Sequence, residues 1–131
     1  MNGQLHHIEI YVKDIAVSKV FYEWLLPKLN YHLYQEWDEG FSFKLNSTYI
    51  VFVQVSVEFK DFGYHRKQIG LNHLAFSVDS REAVDHFTLD LKKKGIPVLY
   101  DNKHPYASGN DSYAVYFEDP DRIKLEIVSE I

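Results

Sequence analysis

The chain of 131 residues contains no cysteine, which removes disulfides, thiolate nucleophiles and cysteine-ligated zinc or iron–sulfur sites. Its chemistry must run on imidazole, carboxylate, hydroxyl or amine groups, or on a metal that such groups hold. Long apolar runs are also missing, since stretches such as Ile50 to Val53 fall far short of the roughly 18 residues of a membrane span. An excess of positive charge is absent as well. Fourteen Lys and Arg against nineteen Asp and Glu give a net charge of −5, the wrong sign for a protein that binds by neutralising phosphates, which argues against nucleic acid as a partner. Met1-Asn2-Gly3-Gln4 has neither the basic nor the apolar region of a secretory leader, so a cytoplasmic location is expected. What the chain does have is 46% hydrophobic residues, including nine Phe, two Trp and ten Tyr, enough for the core of one ordinary domain.

Sliding the chain along itself gives its best match at an offset of 66, where Leu5 to Tyr34 lies over Leu71 to Tyr100 with eight identities in thirty positions. Among these are His7/His73, Val12/Val78, Phe21/Phe87, Leu25/Leu91 and Tyr34/Tyr100. Each copy opens with a strand of period two, Ile8, Ile10 and Val12 in the first and Leu74, Phe76 and Val78 in the second. A helix follows in each. Asp14 is the expected cap of the first, with Val17, Val20, Phe21, Trp24 and Leu25 as its apolar stripe and Pro27 as its end. Asp79 with Glu82 suggests a capping box for the second, Val84, Phe87 and Leu91 its stripe, Lys92 to Lys94 its basic last turn and Gly95 its stop.

Further strands are expected at about 31–37, 41–46 and 49–57, then at 97–100, 112–118 and 122–129, separated by turn residues such as Glu39-Gly40 and Asp119-Pro120-Asp121. The order is βαβββ twice, an α+β domain over 1–131 with one module at about 1–58, a linker at 59–68 and a second module at 69–131.

If the helices cover Ile8, Ile10 and Val12, then His7 and Glu9 face the opposite, concave side of the sheet, and His73 does the same in the second copy. Val51, Val53, Val55 and Val57 read as an apolar face, which places Phe52 and Gln54 with His7. In the last strand Ile123, Leu125 and Ile127 are the apolar set, leaving Lys124, Glu126 and Val128 opposite. Two imidazoles with one or two oxygen donors make a ligand set for Mn, Fe(II), Co, Ni or Zn with positions left open for substrate oxygens. The plain alternative is that these are half-buried polar residues of ordinary strands.

Leu5-His6-His7-Ile8-Glu9-Ile10, Gly70-Leu71-Asn72-His73-Leu74-Ala75-Phe76 and Phe117-Glu118-Asp119-Pro120-Asp121-Arg122-Ile123-Lys124-Leu125-Glu126-Ile127 together resemble the glyoxalase/bleomycin-resistance/extradiol dioxygenase family, the vicinal oxygen chelate superfamily. The resemblance spans the chain. It implies two βαβββ modules forming a half-open barrel or cup, and metal ligands at His7, His73 and Glu126, with Gln54 at the fourth position, where bacterial-type glyoxalase I has Glu. A neutral amide there implies a weaker or a three-ligand site, as in fosfomycin-resistance proteins. His6 is set aside by the seven-residue spacing of His7 from Asp14 and by the repeat register.

The resemblance further implies a divalent-metal-dependent lyase, isomerase or fosfomycin-type enzyme acting on a small molecule through chelated oxygens, with a homodimer as the expected assembly. A metal-free binding protein of the bleomycin-resistance type and a ring-cleaving dioxygenase are the other readings. Glu9 is a candidate general base, against a carboxylate simply bonded to a neighbouring strand, and Tyr116 matches a pocket tyrosine of fosfomycin-type members. Trp37, Phe41, Phe43 and Phe52 line an apolar pocket, the core or a dimer contact. His65-Arg66-Lys67 is either an anion-binding group or a solvated charge run.

Overall fold

In a computed structural model, residues 1–130 are described; Ile131, the end of the expected second module, lies outside the described residues. The chain divides into two compact units, Met1–Gly63 and Tyr64–Ile131. The first contains β1 (His7–Val12), α1 (Ile15–Leu25), β2 (His32–Trp37), β3 (Gly40–Leu45) and β4 (Thr48–Gln54), with 3-10 turns at Leu26–Leu29 and Val57–Phe62. Its sheet runs β1-β4-β3-β2, parallel between β1 and β4 and antiparallel elsewhere.

The Asp14 carboxylate caps α1 by accepting from the amides of Ala16 and Val17 at 3.0 and 3.4 Å. Pro27 sits in the 3-10 turn that follows, and Asn30 leaves it in the left-handed region at φ 65°. The inward side of the helix is Ser18, Phe21, Tyr22 and Leu25, whereas Val17 and Val20 are 50% and 67% exposed, so the buried stripe is rotated from the one the periodicity suggests. Tyr22 stacks on Phe52 at 4.0 Å, and Phe52 stacks on Phe41 at 5.0 Å. Phe41, Phe43 and Phe52 are therefore core, each burial worth about 1.5–3 kcal/mol, while Trp37 lies 44% exposed at the end of β2.

The second unit contains β5 (Leu74–Ser77), α2 (Arg81–Lys94), β6 (Ser112–Glu118) and β7 (Lys124–Glu130), with the sheet ordered β5-β7-β6. Leu74, Phe76, Val115, Phe117, Leu125 and Ile127 share one face by register, and Val84, Phe87 and Leu91 are the apolar residues that α2 buries. Gly95 ends α2 at φ 78° with its N–H bonded to the carbonyls of Leu91 and Lys92, behind the basic turn Lys92 to Lys94.

Three expectations fail here. Ser80, not Asp79, caps α2, its hydroxyl accepting from Ala83 at 3.1 Å. The strand expected at 97–100 is reduced to one bridge between Leu99 and Tyr116, because Pro97 has no amide to donate and Tyr100 turns to φ 54°. In the first unit β4 stops at Gln54, and 57 onward winds into a 3-10 turn.

Gly40 opens β3 beneath the Trp37 ring, and a Cβ there would sit 2.7 Å from the Phe52 carbonyl oxygen as well as inside the indole. Gly40→Ala is expected to cost about 1–3 kcal/mol in urea unfolding, as overpacking does. Gly3→Ala, in open space, should change stability by less than about 0.5 kcal/mol.

Candidate metal and substrate site

Glu126 lies on the central strand of the second unit, opposite Ala75 of β5 on one side and Tyr116 of β6 on the other. His73 stands two residues before Ala75 and so projects to the same face. There its Nε2 lies 3.0 Å from Oε1 of Glu126, a carboxylate that is only 6% exposed. The other ring nitrogen of His73 donates to Oδ1 of Asn72 at 2.7 Å. A carbonyl acceptor on Nδ1 fixes the ring's orientation and leaves Nε2 facing the carboxylate, the usual outer support of a ligating imidazole.

Tyr116 is 7% exposed and packs edge-on against the His73 ring at 5.7 Å. Burial, then the neighbouring Glu126 charge, push its phenol up to about 12, so it is a neutral hydrogen-bond donor at physiological pH. Beyond it, Lys124 Nζ donates to the Tyr100 hydroxyl at 3.1 Å, and this bond pulls the Tyr100 phenol below its ordinary value. Arg66 belongs neither to a solvated run nor to a free anion-binding group. It pairs with Glu118, whose same oxygen accepts from Arg122 Nε at 3.2 Å.

In the first unit His7 lies on the face of β1 away from α1, with Nε2 3.4 Å from Glu9 Oε2, Nδ1 2.8 Å from Nδ1 of His6, and its ring stacked flat on Tyr49 at 4.8 Å. The Glu9 side chain is 59% exposed and well solvated.

Gln54 is not with His7. The register pairs Val12 with Gln54 and His7 with Tyr49, so the two are on opposite faces and at opposite ends of the β1–β4 ladder. The Gln54 amide is spent on the start of α1: Oε1 accepts from the Ile15 amide at 2.9 Å and Nε2 donates to the Lys13 carbonyl at 2.7 Å. Ile50 and Phe52, not Val51 and Val53, pack on the helix side. The register also identifies the counterpart of Glu126. Ala75 opposes Glu126 and its repeat mate Glu9 opposes Val51, so the first unit carries a buried valine where the second carries the carboxylate.

Among the described residues no group of three or more His, Asp or Glu side chains is gathered at metal-ligand distance, and the tightest ligand pair of the two units is His73 with Glu126. The family model for the Glyoxalase/Bleomycin resistance protein/Dioxygenase superfamily matches residues 4–127. The chain belongs to this superfamily. The relatives of this superfamily member include the Bacillus subtilis protein YqjT, 48% identical over 125 residues, 95% of this chain and 98% of that one. A Bacillus halodurans crystal structure is 51% identical with a TM-score of 0.95, covering 97% of this chain and 96% of that one. The fosfomycin resistance protein FosX of Listeria monocytogenes shares the fold at a TM-score of 0.72 and 22% identity, covering 100% and 96%. No helix of the described residues is long and apolar enough to cross a membrane.

The residues that sequence reasoning left without a role are Asn72, Tyr100, Lys124 and the Glu118 and Arg122 that join Arg66. Lys124 was signalled by its parity with Glu126 and Tyr100 by its repeat identity with Tyr34, but only the folded second unit makes them touch.

Gln54→Ala removes the acceptor for a part-buried amide and is expected to cost about 1–2 kcal/mol, read as a lower urea midpoint at unchanged slope. An unchanged midpoint would mean that α1 starts without this contact.

Proposed function

We propose that the protein is a divalent-metal-dependent enzyme of the glyoxalase type that acts on a small molecule through chelated oxygens, with lyase, isomerase or fosfomycin-type chemistry. The observation that carries this reading is the convergence of His73 Nε2 and Glu126 Oε1 at 3.0 Å, with the imidazole braced from behind by Asn72. An almost fully buried carboxylate beside an oriented imidazole is a donor set that suits Mn, Ni, Zn, Co or Fe(II). His7 is the third proposed ligand. Gln54 is withdrawn from the set, and Val51 at the carboxylate-equivalent position supports three ligands rather than four.

Such an ion supplies a Lewis acid that polarises a chelated oxygen and stabilises an oxyanion or enolate. Tyr116 is buried, neutral and bonded to Glu126; once that carboxylate turned toward the ion, the phenol proton would be free to reach an oxygen that gains charge during the reaction. Glu9 is the candidate proton acceptor, since its exposed carboxylate stands beside His7. A lactoylglutathione lyase from Agrobacterium tumefaciens and FosX share the fold at 18% and 22% identity, in keeping with the lyase and fosfomycin-type classes.

Protein purified without a metal-affinity tag is expected to contain close to one equivalent of a divalent metal by elemental analysis. Metal-stripped protein should gain several degrees in Tm on adding Mn, Ni, Zn or Fe(II), since a ligand at 100 times its Kd adds about 2.7 kcal/mol. His73→Ala and Glu126→Gln should abolish both responses. Absence of stoichiometric metal together with no thermal response would overturn the enzyme reading, and metal retained by His73→Ala would overturn the ligand assignment.

A further inference from the structure

Each unit repeats one side-chain arrangement on the face that carries its histidine. In the second unit the His73 ring meets Tyr116 at 5.7 Å, Tyr116 meets Tyr100 at 5.5 Å, and Lys124 Nζ lies 5.3 and 5.7 Å from the Tyr100 and Tyr116 ring centres. In the first unit the His7 ring meets Tyr49 at 4.8 Å, Tyr49 meets Tyr34 at 5.3 Å, and Lys44 Nζ lies 4.3 and 5.9 Å from Tyr34 and Tyr49. Tyr34 and Tyr100 are equivalent in the repeat, but Lys44 and Lys124 sit on strands of different order, so the arrangement is built twice by different routes.

Lys124 has no carboxylate within ion-pairing distance among the described residues. Its cross-strand neighbour Glu118 is committed to Arg66 and Arg122, and Asp119 spends its carboxylate on the amides of Asp121 and Ile123. The amine is oriented by a phenol oxygen at 3.1 Å and lies beside two ring faces, which leaves N–H directions for a further acceptor. Lys124 is also two residues from Glu126 on the same face of β7, a separation of about 7 Å.

We propose that Lys124 and Tyr100 form an oxyanion-binding subsite next to the His73–Glu126 pair, so that the substrate is a small molecule carrying a carboxylate, phosphate or phosphonate besides its metal-chelating oxygens. This substrate class rests on the metal-enzyme reading, but the subsite is testable without it. Arg66 and Arg122 act as positioning residues: by occupying Glu118 they keep a carboxylate from neutralising Lys124.

The test measures binding of methylphosphonate, inorganic phosphate and acetate by titration calorimetry to the full chain and to four variants, each first checked for an unchanged circular dichroism spectrum and Tm. Lys124→Met should weaken binding of the preferred anion at least tenfold and Tyr100→Phe several-fold. Lys60→Met, which removes the same charge from an exposed position of the first unit, should leave it within about twofold. His73→Ala should lose metal yet retain anion binding, which separates failure of the metal reading from failure of the subsite. The preferred probe distinguishes a carboxylate from a phosphorus oxyanion. Equal affinity in Lys124→Met and the parent, equal weakening in Lys124→Met and Lys60→Met, or no binding of any of the three anions would overturn the proposal.

Discussion

The site depends on the parallel pairing of the first and last strands of each unit, β1 with β4 and β5 with β7. A parallel ladder places residues of like parity on one face, so a histidine at the mouth of the first strand and a residue two steps along the last strand must share a surface. Slipping the β5–β7 ladder by one residue would carry Glu126 to the face now held by Leu125 and Ile127 and bury it against the apolar side chains of α2. The apolar faces thus lock the register, and the register places the chemistry. Because α1 and α2 each bury a line of aromatic and aliphatic side chains against those faces, the ligand face is left free to carry polar groups whose value is functional.

Glu126 is the residue whose environment most needs explanation. A carboxylate 6% exposed on the central strand loses most of its hydration, and the structure gives it the His73 imidazole and the Tyr116 phenol in return. A protein selected only for stability would have an aliphatic side chain there, as the first unit does at Val51. The contrast between the two halves is informative because a histidine, a tyrosine pair and a lysine beside its rings stand near the position in both. One half carries a buried carboxylate there and the other a buried valine.

Much of this was legible in the sequence, and the limits have physical causes. His7 and His73 stand out because the repeat aligns them, and Asp14 and Gly95 because caps are set by local chemistry within a few residues. The face of β4 was not legible. Ile50 and Phe52 are as apolar as Val51 and Val53, so alternation is symmetric there and only pairing with β1 decides, which is why Gln54 is assigned to the metal by pattern and to the start of α1 by structure. The rotated stripe of α1 has a similar origin, since Val17 and Val20 satisfy a helical period while facing outward. The strand expected at 97–100 fails for a reason visible in hindsight, because Pro97 and the left-handed Tyr100 leave a single residue able to bridge.

That same left-handed turn is what brings Tyr100 to Lys124. Had 97–100 continued as a regular strand beside β6, Tyr100 would be held in the ladder, its ring fixed by the pleat rather than free to reach across to β7. Ending the strand early releases the phenol to meet the amine at 3.1 Å, and the loop that follows runs from Tyr100 to Ser112 without a strand of its own. The first unit keeps its corresponding strand, β2, and there Tyr34 lies against Lys44 by ring face alone, with no bond to its hydroxyl. The two halves therefore differ at both positions that matter for chemistry, a carboxylate against a valine and an oriented amine against a merely stacked one. In both cases the second unit holds the more polar and more constrained version. The two halves share a scaffold of histidine, tyrosines and lysine, and it is the departures from repetition that give the second half its buried carboxylate and its bonded amine.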